Sequence, residues 1–343
     1  MISRNHPVAA RILRRWRELT GGKGIRDVDR RTVVACSGGV DSVALAAVLA
    51  LVEPKPIVAH VVHDVRGDGV AIADRDAVKR LAALIGCDFI ERRILVKKQG
   101  GNLEGNARRL RYGALGEMAD EVGAGFVATG HHGDDQLETL LMRMMRGSGV
   151  RGMGGILERV EMDEMIGVVV VRPMLGVSRA AIEALCVEAG FEWVHDATND
   201  DVGLMRNRIR HEVMPMLRAI EPGLTEKVAG LARSCFETSD FLEEVVRDGV
   251  RWDGHCDGDV WWWDRDRLQC EHRAVLAELM FVYVHDVLGG VGADSMGRRA
   301  VEGCVLAIKS EATDPCVHRV GPIVVTVRGR EVVFSPAKDC GDG

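Results

Sequence analysis

The sequence predicts an α/β fold built on a doubly wound parallel sheet. A smaller, mainly helical carboxyl-terminal domain with a terminal β-hairpin is expected to follow it. Three observations carry this expectation. Apolar, strand-like runs alternate with helical patterns through the first half of the chain, the signature of a parallel sheet covered by helices on both faces. A glycine-rich turn, Ser37-Gly-Gly39, joins the first of those strands to the first of those helices. From about residue 224 the pattern changes to long helices and a final pair of strands.

Strand-like segments fall at 32–36, 57–62 (Ile-Val-Ala-His-Val-Val), 88–95 and 125–129 (Gly-Phe-Val-Ala-Thr), with helical segments at 40–51, 70–85, 102–122 and 133–145. A further strand at 166–171 leads through Arg172-Pro173 to a helix at 178–189, for which Ser178 is a natural N-cap. The polar, turn-rich stretch 190–205 predicts a mobile loop, and a helix resumes at 206–219. Glu221-Pro222-Gly223 places a domain boundary near 220, giving domains 1–220 and 221–343. Beyond it, helices are expected at 224–250, 271–288 and 294–309. A hairpin of Ile323–Val327 and Glu331–Phe334 then turns at Arg328-Gly329-Arg330. The run Trp261, Trp262, Trp263 is expected to pack the small core of this domain rather than stack on bases.

The 343 residues are 47% hydrophobic and 28% charged, an ordinary composition for a globular protein with a sizeable core. No apolar run approaches the ~18 residues of a membrane span, and the arginine-rich amino terminus lacks the apolar core of a secretory signal. A cytoplasmic protein without membrane contact is the expectation. The nine cysteines include no Cys-x-x-Cys pair, which leaves zinc-ribbon and thioredoxin readings without support. Cys36, at the end of an apolar strand, is expected to be a core residue rather than a nucleophile. The net charge of −6 argues against indiscriminate binding of nucleic acid. Basic residues nevertheless cluster at 92–111, 143–151 and 206–210, which suits a polyanionic second substrate.

Residues 33–42, Val-Val-Ala-Cys-Ser-Gly-Gly-Val-Asp-Ser, read as a phosphate cradle. Two consecutive glycines let successive N–H groups converge on one anion, and the helix behind them adds the positive end of its dipole. Ser37 and Ser42 supply hydroxyls. Asp41 would repel phosphates unless a cation lay between, so it is a candidate Mg²⁺ ligand. The Lys-containing P-loop pattern is absent. In a doubly wound sheet, ligands bind at the carboxyl ends of the strands, where Ser37–Ser42, His63–Arg66 and Gly130–Asp135 should converge. Asp134, Asp135 and Glu138 open a helix as helix-capping acids or as acids facing a cationic amino group. Gly147-Ser-Gly-Val-Arg-Gly152 satisfies Gly-x-Gly-x-x-Gly but follows a helix, so it is not read as a dinucleotide fingerprint.

The Ser-Gly-Gly-x-Asp-Ser loop resembles that of the N-type ATP pyrophosphatases, the PP-loop superfamily, which cleave ATP between its α and β phosphates. Further motifs follow in order: Gly101-Asn-Leu-Glu-Gly-Asn-Ala-Arg-Arg-Leu-Arg-Tyr112, His131-His-Gly-Asp-Asp-Gln-Leu-Glu-Thr139 and Arg146-Gly-Ser-Gly-Val-Arg-Gly152. Then come Arg172-Pro-Met-Leu175, Trp193-Val-His-Asp196, Thr198-Asn-Asp200 and Arg206-Asn-Arg-Ile-Arg210. Together, over roughly residues 30–220, they resemble the tRNA(Ile)-lysidine synthetase family, and the likeness over the last third is looser. The resemblance implies a PP-loop catalytic domain over 1–220 and a tRNA-binding domain over 221–343, ending before the extra domain of longer members. It implies ligation of L-lysine to C2 of the wobble cytidine in the CAU anticodon of a minor isoleucine tRNA, through an adenylated intermediate, with ATP and Mg²⁺.

Carried over by position, Ser37, Gly38, Gly39, Val40, Asp41 and Ser42 bind ATP, with Asp41 also on Mg²⁺, and His63 and Arg66 border the nucleotide. Asp41, Asp134, Asp135 and Glu138 are the candidate catalytic residues, with Asp134 and Glu138 on lysine. Arg108, Arg111, Arg206 and Arg208 are candidates for tRNA. His60-Val-Val-His-Asp-Val-Arg66 departs from the family pattern at Val62 and Asp64. A homodimer is left open. The rivals are another PP-loop tRNA-modifying enzyme, a thiolase, which would need cysteine pairs, and a non-catalytic nucleotide-binding RNA adaptor. A small-molecule amidotransferase or synthetase would not need three basic clusters.

Overall fold

The computed structural model describes residues 2–21, 27, 30–64, 68–96, 103–162, 164–165, 167–194, 205–251, 253–312 and 314–337. The chain divides into two compact units, Met1–Met142 with Gly155–Ala232, and Arg143–Gly154 with Arg233–Gly343.

The first unit opens with α1 (Pro7–Leu19), where the sequence reading had registered only basic residues. Proline in the first turn starts this helix at no hydrogen-bond cost. Ala9, Ile12, Leu13, Trp16 and Leu19 recur at helical spacing and are buried, while the arginines occupy the opposite face. The parallel elements then follow as β1 (Thr32–Ala35), α2 (Val40–Leu49), β2 (Ile57–His63), α3 (Asp68–Ile85), β3 (Phe89–Ile94), α4 (Leu103–Glu121), β4 (Phe126–Ala128) and α5 (Gly133–Met145). After α6 (Val150–Met153), whose residues count with the second unit, come β5 (Arg159–Glu161), β6 (Val169–Val171) and α7 (Arg179–Ala189), whose N-cap Ser178 accepts from the Ala181 amide as expected.

The sheet order is β3-β2-β1-β4-β6-β5, parallel throughout except for β5, which runs antiparallel along the edge beside β6. Strand order reverses between β1 and β4, so their carboxyl ends open a crevice. Every residue of α2 except Asp41 is buried, as a helix covered on all sides by sheet and neighbouring helices must be. Helix α8 (Met205–Arg208) passes through a π-type turn at Ile209–Val213 into α9 (Met214–Ile220). The expected mobile loop lies outside the described residues over 195–204.

Helix α10 (Leu224–Val245) starts within the first unit, which extends to Ala232, and ends, among second-unit residues, in another π-type turn at Val246–Val250. There follow β7 (His255–Asp257), β8 (Val260–Asp264), α11 (Arg265–Cys270), α12 (Arg273–Leu288), α13 (Arg298–Lys309), β9 (Cys316–Val320), β10 (Ile323–Arg328) and β11 (Glu331–Pro336). The expected hairpin is β10–β11, and it forms the middle of a five-stranded antiparallel sheet ordered β7-β8-β11-β10-β9. Trp261 and Trp263 point into the core at 6% and 1% exposure, with Trp263 edge-on to Phe334 at 5.2 Å. Trp262 alternates to the other face and stacks on His255. Among the described residues no helix is long and apolar enough to cross a membrane.

One buried cation organises this unit. Arg265, 5% exposed, donates to the carbonyls of Ala307, Ile308, Ser310, Ala312 and Gly329, which closes the carboxyl end of α13. Lysine lacks the planar fork that reaches these acceptors together. Arg265→Lys should therefore lower stability by roughly 2 kcal/mol, the usual effect of stranding buried acceptors. Urea unfolding followed by tryptophan fluorescence measures the loss.

Candidate active site

The crevice is built from the loop after β1 and the loop after β4. Cys36 donates its amide to Ala59 O at 2.8 Å, and its side chain is 2% exposed, the core role the sequence predicts. Burial pushes its thiol pKa upward, away from thiolate chemistry. The Ser37 amide donates to Ser42 Oγ at 3.2 Å, and Ser42 Oγ donates to Gly39 O at 2.9 Å, so the turn is closed from within. Gly38 holds φ +94°, a conformation that a side chain rarely adopts, and its carbonyl accepts from the Val194 amide at 2.9 Å. On the facing loop, a Cβ at Gly130 would lie 3.1 Å from the backbone of Asp41 and Ser42. Only glycine lets the two loops approach this closely.

The acids of α5 divide between two tasks. Asp134, 2% exposed, accepts from the Arg179 amide at 3.0 Å and the Thr225 hydroxyl at 3.1 Å and pairs with Arg218 at 2.9 Å. Its carboxylate ties α5 to α7, α9 and α10. Asp134, a sequence candidate for lysine, is thus engaged by protein partners on both oxygens and shares Arg179 with Asp41. Asp135 and Glu138 do converge. Glu138, 1% exposed, receives Arg206 Nε at 2.7 Å and Arg210 Nε at 2.7 Å. Asp135 pairs with Arg206 at 3.0 Å and lies 3.5 Å from His132 Nε2. Burial would raise the Asp135 pKa, but His132, His131 and Arg206 outweigh it and hold the carboxyl below its ordinary range.

Asp41 faces this cluster from the first turn of α2. One oxygen pairs with Arg179 at 3.3 Å. The other, Oδ1, is buried without a hydrogen-bond partner and lies 3.6 Å from His132 Nε2. Burial pushes the Asp41 pKa up, against the opposing pull of His132 and Arg179. An orphaned carboxylate oxygen at the positive end of a helix, beside a glycine turn, is a coordination position for a hard cation.

The other wall of the crevice is basic. Arg172, 3% exposed, donates to Leu157 O at 2.6 Å and approaches Tyr112 Oη at 3.4 Å, and its Nε is buried without a partner. Arg108 and Arg111 lie over the Tyr112 ring at 5.0 and 5.8 Å and are exposed. Burial, then the charge of Arg172, pushes the His131 pKa down to about 3, so this imidazole is neutral at physiological pH. His63 ends β2, half-buried, while Arg66 lies outside the described residues. Asp64, where the chain departs from the resembled pattern, accepts from the Val96 amide at 2.7 Å and secures the ends of β2 and β3. Arg208 is exposed and pairs with Glu212 at 3.3 Å. Arg172, Arg179, Arg210 and His132 were missed as site residues. Arg210 alone had a spacing signal, four residues after Arg206.

Residues 9–217 match the PP-loop domain family. A tRNA(Ile)-lysidine synthase of Salinispora arenicola is 39% identical over 234 residues, 66% of this chain and 68% of that protein. The chain belongs to the PP-loop family, in its tRNA(Ile)-lysidine synthase branch. A tRNA(Ile)-lysidine synthase of Geobacter sulfurreducens is 35% identical over 254 residues, 71% of this chain and 52% of that protein. The chain spans about half the length of this relative and of its Geobacillus kaustophilus counterpart, at 52% and 48%. Among solved structures, a U34-tRNA thiolase from Methanococcus maripaludis superposes with TM-score 0.53 at 16% identity. It covers 67% of this chain and 80% of that one, a likeness of fold.

Two outcomes follow from the PP-loop geometry. Gly130→Ala should disrupt the loop and lower stability by about 1–3 kcal/mol through overpacking against backbone, read by thermal melts. Asp41→Asn should do the reverse. The fold disfavours the ionised form of Asp41, so wild-type stability falls as pH rises through its raised pKa. The asparagine variant should melt higher at neutral pH, by roughly 2 °C if about 1 kcal/mol is recovered, and the gap should close in acid. A gap that widens in acid would overturn this account of Asp41.

Proposed function

We propose that the protein ligates lysine to C2 of the wobble cytidine in the CAU anticodon of a minor isoleucine tRNA, using ATP and releasing AMP and pyrophosphate. One observation carries the reading: a buried, unpartnered oxygen of Asp41 faces an acidic pair, Asp135 and Glu138, across the switch point of a PP-loop sheet. The names of the relatives supply the substrate classes.

In the first step the cytidine O2 attacks the α-phosphorus and pyrophosphate leaves. The backbone N–H groups of Gly38–Val40 and the Ser37 hydroxyl cradle the departing phosphates at the positive end of α2, in a turn that Ser42 holds closed. Asp41 would hold Mg²⁺, which neutralises the phosphate charge when bound. Its orphan oxygen fits that ion, and Mg²⁺ in such sites takes one or two carboxylates and completes its shell with phosphate and water. In the second step the lysine ε-amine attacks C2 and the oxygen leaves with AMP. Asp135, held ionised, orients the amine with Glu138, and a neighbouring carboxylate accepts the proton that the ammonium must lose. Asp134 positions α5 and touches no substrate. His63 borders the nucleotide. Arg108, Arg111 and the exposed Arg208 meet phosphates of a tRNA, and a cytoplasmic setting suits that substrate. The thiolase alternative gains nothing from Cys36, Cys186 and Cys304, which are buried thiols.

Incubating the full chain with ATP, the CAU-anticodon tRNA and lysine should yield AMP and pyrophosphate and a tRNA heavier by lysine less water. ADP and phosphate as products would overturn the reading. Glu138→Gln and Asp135→Asn should each lower the lysine step by about 10²-fold or more, while adenylated tRNA still accumulates in at least one of them.

A further inference from the structure

The carboxylates assigned to the incoming amine already hold cations. Glu138 accepts Arg206 Nε at 2.7 Å, Arg210 Nε at 2.7 Å and Arg210 Nη2 at 3.0 Å. Asp135 Oδ1 takes Arg206 Nη2 at 3.0 Å, with Arg210 Nη2 at 3.6 Å. Two carboxylates and two guanidiniums sum to zero charge. A lysine ammonium added to this arrangement would make the pocket cationic and would find Glu138, 1% exposed, already bonded through both oxygens. Simple departure of the arginines is equally unfavourable, because it strands two buried carboxylates. The cations must exchange.

We infer that Arg206 and Arg210 are a built-in plug of the amine site, which the phosphates of the polyanionic substrate draw away so that lysine can enter. The inference rests on the lysine-ligating reading above. A guanidinium fork fits phosphate as well as carboxylate, so an arriving polyanion offers the displaced side chains an equivalent partner. Arg206 is the accessible half of the plug, its side chain 44% exposed against 24% for Arg210. The helix that carries them has a place to give. Arg206 lies just before the π-type turn Ile209–Val213, and Arg210 lies within it. Converting such a turn to regular α-helix removes one residue from the winding and rotates the preceding turn by about 100°. The same helix can therefore aim Arg206 into the carboxylates or away from them. Lysine affinity becomes conditional on RNA, so the amine site is filled when the polyanion that is to be activated is seated.

Equilibrium dialysis of radiolabelled lysine against the full chain tests this. The chain is measured alone, with a non-hydrolysable ATP analogue, and with that analogue plus CAU-anticodon tRNA. The apparent lysine Kd should tighten at least tenfold when the tRNA is present. Arg206→Gln, checked for folding by circular dichroism, should tighten lysine binding to the free protein and shrink the gain from tRNA, with Arg206→Lys between the two. Equal lysine affinity with and without tRNA in the wild-type chain overturns the plug, even if Arg206→Gln fails to fold. So does a folded Arg206→Gln variant with unchanged lysine affinity. Those results would leave lysine-dependent release of AMP intact, whereas a chain that never consumes lysine refutes the underlying reading instead.

Discussion

Neutralisation of buried acid is the constraint on which the first unit depends. Asp134, Asp135 and Glu138 occupy the first turns of one helix, and Asp134 and Glu138 are almost wholly withdrawn from water. Unpaired carboxylates at such depth would shed their charge or unfold their surroundings. The guanidiniums that answer them come from a single later stretch of chain, Arg206, Arg210 and Arg218, and His132 stands beside Asp135. The helices after the sheet are thus held to α5 by charge as well as by the apolar contact of Leu137 with Ile209 and Met214. The placement of these candidate acids and the attachment of α7, α8 and α9 to α5 are one electrostatic problem with one solution.

That coupling explains which parts of the fold were legible. Parallel strands covered on both faces read as continuous apolar runs, and the strands of 32–35, 57–63 and 89–94 stand close to where alternation puts them. The antiparallel edge strand Arg159–Glu161 is three residues long and half-exposed, too short to leave a periodic trace. His255–Asp257 is equally short and exposed throughout. Trp261–Asp264 pairs with His255–Asp257 on one side and with Glu331–Phe334 on the other, and the second is a contact between distant segments that no local pattern encodes. The two π-type turns are also tertiary in origin, since the sequence of Ile209–Val213 reads as ordinary helix.

The site was legible to the same extent. Candidates on the two crevice loops, Ser37 to Ser42 and the acids Asp134, Asp135 and Glu138, could be named because glycines, acids and hydroxyls there have few structural reasons to coincide. Their partners could not. Arg179 reaches Asp41 because Ser178 caps α7 and points the first helical residues toward α2, and arginine after a cap carries no signal of that task. Asp134 and Asp135 are adjacent and chemically identical. Helical geometry alone sends them apart, Asp134 to Thr225 and Arg218 and Asp135 to His132. Which acid is structural and which is available is a property of packing.

The arginines invert the first impression of charge in a similar way. Clustered basic residues suggested three RNA-facing patches on a chain of net charge −6. Many of those cations have internal partners. Arg92 pairs with Glu117 and Glu121, Arg151 with Glu243 and Glu278, and Arg206 and Arg210 with Glu138. Arg108 and Arg111, exposed over the Tyr112 ring, are the basic side chains beside the crevice best placed to meet a phosphate directly. An acidic protein that pairs many of its arginines with its own carboxylates has little non-specific attraction for RNA. Its electrostatic contact with a polyanion is then concentrated at the crevice, and any further cations must be recruited from ion pairs already made. Under that condition the affinity for RNA and the state of the buried acids cannot be set independently.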